Sequence, residues 1–198
     1  MSIQQILDQR PDLWRGRAAR DLVPAGVPTG LAALDQELPW GGWPPGSLSE
    51  LLSARAGDGF GLVLPALARL SAQSRWLLLV DPPLQPFAPA LAARGLTLER
   101  LVVASAGERR AWAAEQGLRS GACAAVLLWG GRWDDTALRR LQLAAATGGA
   151  LAFLFRDLAA ARAPSPAPLR LQVQGSGPGC QVTILKQRGG QPGGRFEV

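Results

Sequence analysis

Reactive side chains are scarce in this 198-residue chain. The chain contains no histidine, which excludes His-based triads, His metal ligands and the commonest general base. Its two cysteines, Cys123 and Cys180, are too few for a disulfide framework, and Cys123 lies in an apolar run typical of a core thiol. Lys186 is the single lysine, so any chemistry that needs a lysine must use it. We therefore expect no catalytic residue, no metal site and no cofactor.

The charge balance indicates an anionic partner only weakly. The formal net charge is +6, from 21 basic and 15 acidic residues, but the basic residues are dispersed and form no block of five or six. We expect at most weak, salt-sensitive binding of single-stranded DNA. Hydrophobic residues make up 47% of the chain, enough for a core, and no apolar run is long enough to cross a bilayer. The N-terminus shows no signal-peptide pattern, so we expect a cytoplasmic protein.

Short apolar segments alternate with helical patterns from Ser47 onwards, which predicts an α/β fold with a mostly parallel sheet flanked by helices. Strands are predicted at Ser47–Leu52, Arg75–Val80, Arg100–Ala104, Cys123–Trp129 and Ala150–Phe155, with helices at Phe60–Ser71, Phe87–Arg94, Glu108–Arg119 and Asp135–Thr147. Three further strands, Leu169–Gln174, Gln181–Lys186 and Arg195–Val198, predict a short antiparallel C-terminal extension. We divide the chain into an N-terminal helical arm, residues 1–25, and a core, residues 26–198.

The arm carries apolar side chains that it cannot bury alone. Ser2–Gln9 has the pattern of a short capped helix, with Ile3, Ile6 and Leu7 on one side and Trp14 beyond it. We expect these four side chains to dock on another surface, so self-association is an expectation.

Residues 28–52 carry the most specific pattern. The fixed positions are Thr29-Gly30, Leu34-Asp35, Leu38, Gly41-Gly42, Pro44, Gly46 and Glu50. This frame resembles the entry to the RecA ATPase core, and the later strand and helix order is similar to that core through residue 198. Arg10–Gly16 and Leu38–Pro44 more specifically resemble the ImuA family, small RecA-like accessory proteins of bacterial mutagenic translesion synthesis that are often named together with SulA cell-division inhibitors.

This resemblance implies a function through protein contacts. An ImuA-type protein is a non-catalytic adaptor of the SOS-induced mutasome, with RecA and the polymerase-like protein ImuB as partners. Two alternatives remain open. One is a SulA-type inhibitor that binds the tubulin-like division protein, and the other is a weak RecA-like DNA-dependent ATPase.

The chain departs from the RecA pattern at the residues that carry its chemistry. A phosphate loop, G-x-x-x-x-G-K-[ST], needs backbone N–H groups, a lysine and a hydroxyl that binds Mg²⁺. The corresponding stretch, residues 53–61, contains Ser53, Gly57, Asp58, Gly59 and Phe60 but no lysine. Trp129 stands where the resemblance requires a Mg²⁺-binding Asp, and Pro83 where it requires a catalytic Glu. We interpret residues 53–61 as a degenerate loop without nucleotide.

The resemblance also places two DNA-binding loops and a basic strand end. The candidate DNA or partner contacts are Arg132, Trp133, Arg156, Arg162, Lys186 and Arg188. Arginine and tryptophan can hold single strands through phosphate contact and stacking. Among the seven tryptophans, we expect Trp76 and Trp112 in the core. The others lie in loops or at element ends, where they suit protein–protein contacts.

We predict that the protein does not hydrolyse ATP. Loss of one charge-stabilising group already raises a reaction barrier by several kcal/mol, and three such groups are absent here. Phosphate release should equal that of a protein-free blank, with and without single-stranded DNA. Turnover that follows the protein through successive purification steps would falsify this prediction.

Overall fold

The computed structural model describes residues 24–176 and 179–197. The arm prediction, including Ile3, Ile6, Leu7 and Trp14, therefore falls almost entirely outside the described residues. Within the described part of the chain, no helix is both long and apolar enough to cross a membrane.

Helices and strands alternate along the chain as the sequence predicts, with ends that shift by a few residues at most. The helices are α1 (Ala32–Glu37), α2 (Phe60–Ser71), α3 (Ala88–Ala93), α4 (Arg110–Arg119) and α5 (Asp135–Gly148). The strands are β1 (Leu48–Ser53), β2 (Trp76–Val80), β3 (Leu101–Ala104), β4 (Cys123–Trp129), β5 (Leu151–Asp157), β6 (Leu169–Ser176), β7 (Gly179–Gln187) and β8 (Arg195–Glu197). Short 3₁₀ turns occupy Leu98–Arg100, Gly107–Arg109 and Leu158–Arg162.

The strands described form one eight-stranded mixed sheet in the order β3-β2-β4-β5-β1-β6-β7-β8. All pairings from β3 to β6 are parallel, whereas β7 and β8 pair antiparallel. The α/β prediction is thus confirmed, but the antiparallel extension begins at β7 and not at Leu169. The reason is the connection after β5, residues 158–168, which is long enough to cross over and return β6 parallel to β1.

Apolar side chains on both sheet faces build two cores. Leu77 and Leu79 belong to the cluster that packs on α1, α2 and α3. Val80 on the same strand belongs to the cluster that packs on α4 and α5, because successive strand residues face opposite sides. Strand β4, buried at every residue, contributes to both clusters. This burial explains why its sequence is continuously apolar.

The segment that begins at Thr29-Gly30 and precedes β1 is held by local hydrogen bonds. Asp35 accepts a hydrogen bond from the backbone N–H of Thr29 at 2.8 Å, and the Thr29 hydroxyl accepts one from Leu31 N at 3.1 Å. Helix α1 then buries Leu34 completely. Gly42 is required because a Cβ there would lie 2.2 Å from the Val27 carbonyl oxygen.

The expectation that Trp76 and Trp112 lie in the core is wrong. Trp43 and Trp129 are buried, and Trp43 packs edge-to-face on Phe153 with ring centroids 4.9 Å apart. Trp76 and Trp112, expected in the core, are 42% and 59% exposed. Both buried rings belong to the core cluster that packs on α1, α2 and α3, and this cluster covers the end of β4 that carries Trp129.

The contact between α4 and α5 predicts that alanine substitution at two glycines will change the free energy of unfolding in opposite directions. Gly148 ends α5, and a Cβ there would lie 1.8 Å from the Leu118 backbone oxygen, whereas a Cβ on Gly61 in α2 would meet no atom within 4 Å. Gly148→Ala should lower the free energy of unfolding by about 1–3 kcal/mol through overpacking. Gly61→Ala, the matched control, should raise it by up to about 1 kcal/mol through helix propensity. Urea unfolding measures both, and equal effects would contradict the described α4–α5 contact.

Candidate functional site

The loop between β1 and α2 is a glycine-rich turn that lacks the side chains of a phosphate loop. Ser53 ends β1, and its hydroxyl donates to the Arg55 carbonyl at 2.9 Å. Gly57 and Gly59 adopt φ values of +100° and +84°, which glycine tolerates best. Helix α2 then begins at Phe60. The loop therefore turns at its glycines, while Gly59 and Phe60 stand where the resemblance requires a lysine and a hydroxyl. Asp58 adds a negative charge where phosphate would lie.

Two of the departures from the RecA pattern contact each other. The Trp129 ring stacks on Phe155, with centroids 4.5 Å apart and planes 5° apart. Phe60 packs edge-on against Trp129 at 5.8 Å. Phe60 and Trp129 stand where the resemblance requires the two Mg²⁺-binding residues. Three aromatic rings thus fill the carboxyl ends of β4 and β5 beside the loop with apolar contacts, and this arrangement offers no metal ligand.

Asp81, at the end of β2, has a structural role. It adopts φ of +50°, uncommon for a residue with a side chain. Its Oδ1 accepts hydrogen bonds from Ala106 N at 2.6 Å and Gly107 N at 3.2 Å, and its Oδ2 lies 3.1 Å from Arg110 Nε. Asp81 therefore ties the end of β2 to the start of α4. Among the described residues, no group of three or more His, Cys, Asp or Glu side chains could hold a metal ion.

A buried ion cluster is centred on β1, just before the loop begins. Glu50, completely buried on β1, accepts from Arg170 Nε at 2.7 Å, Arg156 Nη1 at 3.0 Å and the Ser165 hydroxyl at 2.7 Å. Arg170 Nη2 also donates to the Ala160 carbonyl at 2.8 Å. One carboxylate thus joins β1, β5 and β6 and fixes the crossover between the latter two.

Lys186 belongs to the same cluster. Its Nζ donates to the Ser165 carbonyl at 2.7 Å, which connects β7 to the crossover. Burial, and then the nearby Arg170 charge, lower the pKa of Lys186. Its ammonium group is therefore engaged within the fold.

Two cavities adjoin the loop between β1 and α2. The loop pocket, about 410 Å³, is lined by Ser53, Asp81, Arg110, Gly130 and Arg156 among others. The apolar groove, about 380 Å³, lies beside it between α2 and the segment that joins β2 to α3. Trp129 and Pro83 line both cavities.

The structure separates the predicted DNA contacts into two groups. Arg156 and Lys186 meet at the Glu50 cluster, where the Arg156 side chain is 10% exposed. Arg132, Arg162 and Arg188 are exposed, and the Trp133 ring nitrogen donates to Gly130 O at 2.7 Å. The exposed group keeps the donors that phosphate contact requires. DNA contact through these residues stays a prediction.

Sequence reasoning missed the partners of Glu50, the role of Asp81 and its partner Arg110. A charged residue within the otherwise apolar strand β1 was the available signal, because a buried carboxylate requires a buried cation. Arg170, flanked by leucines in β6, was the matching signal. Cys123 agrees with the sequence interpretation, since it is buried and burial raises the pKa of its thiol. Burial also raises the pKa of the Cys180 thiol.

Comparison with known proteins identifies the family. Residues 49–152, slightly more than half of the chain, match the family model described as cell division inhibitor SulA. The chain belongs to the SulA cell division inhibitor family. A crystal structure of SulA from Pseudomonas aeruginosa is similar at 29% identity, covers 55% of this chain and 97% of that chain, and has a TM-score of 0.45. No curated protein matches the chain.

The SulA-family match covers only part of the site. It includes Glu50, the degenerate loop and Trp129. It ends before Arg156 and before strands β6, β7 and β8. The ion cluster therefore joins the part of the chain that matches the SulA family to strands beyond that match.

Removing the Glu50 charge should destabilise the protein strongly. Glu50→Gln keeps the shape of the side chain but leaves Arg156 and Arg170 buried without a carboxylate, which should cost about 3–5 kcal/mol of unfolding free energy. Asp135→Asn is the matched control, because it breaks an exposed pair with Arg139 at 2.6 Å and should cost at most about 0.5 kcal/mol. Denaturant unfolding measures the loss of unfolding free energy in both variants. Similar small losses in the two variants would show that Glu50 does not hold the crossover.

Proposed function

We propose that the protein is a non-catalytic accessory protein of the SOS response that acts in the cytoplasm by binding other proteins. One observation carries this proposal. Phe60, Trp129 and Phe155 pack together at the carboxyl ends of the central strands, where a nucleotide-hydrolysing enzyme with a phosphate loop needs its hydroxyl and carboxylate ligands for Mg²⁺. No enzyme activity is part of the proposal.

Family membership favours one partner, the tubulin-like division protein. The matched family model carries the description of a cell division inhibitor. A SulA-type inhibitor acts by binding and needs no nucleotide site of its own, which agrees with the degenerate loop. Of the two candidates, this one has the more direct support.

The chain outside the matched residues favours the second candidate, an ImuA-type adaptor that contacts RecA and an ImuB-type polymerase-like protein. The Thr29–Asp35 contact and helix α1 lie before the match, and β6, β7 and β8 lie after it. A mostly parallel sheet with an antiparallel C-terminal end supports the RecA-like core that the resemblance implies. Glu50 binds the later strands into the body, so they are an integral part of the surface that a partner meets.

An equilibrium binding experiment separates the candidates. The full chain is titrated without nucleotide against three purified proteins: the division protein, RecA and the ImuB-type protein. We expect saturable binding to the division protein, with inhibition of its assembly, or to RecA and the ImuB-type protein. Binding to none of the three would contradict the proposed function.

Trp112 is the exposed side chain we expect to matter most for that binding. It is 59% exposed on α4, and buried tryptophans often dominate interface energies. Trp112→Ala should weaken binding of the partner identified by about 2 kcal/mol or more. Leu143→Ala on α5 removes a comparably exposed apolar side chain, at 63%, and is the matched control. Equal affinities of wild type and Trp112→Ala would exclude α4 as the contact face.

A further inference from the structure

Two arginine side chains line the loop pocket, and each is held in place by an internal carboxylate. Arg110 comes from the start of α4, where its Nε donates to the Gly107 carbonyl at 2.7 Å and lies 3.1 Å from Asp81 Oδ2. Arg156 comes from the end of β5, and its Nη1 donates to Glu50 Oε1 at 3.0 Å. Each guanidinium group is thus fixed through one nitrogen, which reduces the conformational entropy that it loses when a ligand binds.

The other guanidinium nitrogens of these two arginines keep their N–H donors. Arg110 Nη1 and Nη2, and Arg156 Nε and Nη2, make no hydrogen bond within the described part of the chain. Among the described residues, Arg75 Nε is the single buried arginine nitrogen without a partner, so the four nitrogens of Arg110 and Arg156 are open to solvent. A guanidinium group presents such donors in a planar fork that matches the two oxygens of a carboxylate.

Gly130 and Gly131 fix where the Arg110 guanidinium group lies. Both glycines line the loop pocket. A Cβ on Gly130 would lie 3.0 Å from Arg110 Nη1, and a Cβ on Gly131 would lie 3.4 Å from the same atom. Arg110 Nη1 therefore lies directly against two residues of the pocket lining.

An excess of positive charge lies behind the Arg156 side of the pocket. The cluster around Glu50 contains this one carboxylate and three cations, Arg156, Arg170 and Lys186. Charges in a buried cluster are screened less than charges in water, so the unbalanced positive charge acts on the adjoining pocket. The resulting potential favours an anionic ligand.

The rest of the lining limits the charge and the shape of that ligand. Asp81 and Asp157 also line the pocket, and their negative charges disfavour a polyanion such as a triphosphate. Pro83, Trp129 and Phe155 give the pocket apolar walls. A pocket of about 410 Å³ with this lining suits one negative charge on a compact apolar group.

We propose that the loop pocket binds a single carboxylate group on an apolar body, with the open guanidinium nitrogens of Arg110 and Arg156 as its hydrogen-bond donors. A free small carboxylate and an acidic side chain of a protein segment present the same group to these donors. The binding requires neither a nucleotide nor a metal ion, and it does not depend on which protein partner the chain has.

An NMR titration of the full chain tests the proposal through the backbone amides of Gly130 and Gly131. Phenylacetate is the carboxylate probe, and phenylacetamide, which has the same shape but no charge, is its control. Phenylacetate should shift both amides saturably, with a roughly millimolar dissociation constant. Phenylacetamide should bind at least about ten-fold more weakly, because it lacks the charge-assisted hydrogen bonds. Equal affinities of the two probes, or no saturable shift with phenylacetate, would overturn the proposal.

A substitution at Arg110 tests the donor itself. Arg110→Gln should weaken phenylacetate binding at least about ten-fold, because one charged fork is removed. Arg119→Gln is the matched control on the same helix, since the Arg119 side chain is 55% exposed and pairs with Glu115 instead. Equal phenylacetate affinities of wild type and Arg110→Gln would contradict the assignment. The comparison of the two probes on the wild-type chain decides the matter even if Arg110→Gln does not fold.

Two further probes distinguish the sources of the carboxylate. A capped tripeptide with one glutamate between two leucines represents a protein segment, and the same peptide with glutamine is its control. Tighter binding of the glutamate peptide than of phenylacetate assigns the site to a protein segment, and weaker binding assigns it to a free small carboxylate. Tighter binding of inorganic phosphate than of both carboxylates would overturn the proposal, because the site would then prefer a multiply charged anion.

Discussion

The buried carboxylate of Glu50 is the constraint on which the centre of the sheet depends. It lies on β1, between β5 and β6, and receives two guanidinium groups and a hydroxyl. A charge in this position is tolerated only when it is fully paired, so the strands that supply Arg156 and Arg170 must lie where they do. The parallel return of β6 brings Arg170 beside Glu50, and Lys186 contacts the same crossover through the Ser165 carbonyl.

The degenerate loop is a consistent local structure. Phe60 and Trp129 stand at the two positions that the resemblance assigns to Mg²⁺-binding residues, and they pack on one another. Neither ring would be well packed beside a charged loop with bound triphosphate. Each substitution therefore makes the other favourable, and together they fill the carboxyl edge of the sheet with apolar contacts.

The sequence predicted the elements better than their environments. Helix Phe60–Ser71 and strand Cys123–Trp129 have the predicted bounds, because glycines and continuous apolar runs mark them locally. The burial of Trp43 and the pairing of Glu50 with Arg170, 120 residues later, depend on contacts between distant segments. Local patterns do not identify such partners. A single charged residue in each of two apolar strands, Glu50 in β1 and Arg170 in β6, did indicate that each needed a partner of opposite charge.

Calorimetric titration of the full chain with Mg·ATP tests the central claim most directly, because it measures binding whether or not hydrolysis follows. An aromatic-filled site without lysine should give no saturable heat at nucleotide concentrations up to about 1 mM, a range that still detects binding of roughly 4 kcal/mol. Saturable binding of one nucleotide per chain, lost in Phe60→Trp but kept in Asp135→Asn, would contradict the account. That result would make the loop a working nucleotide site.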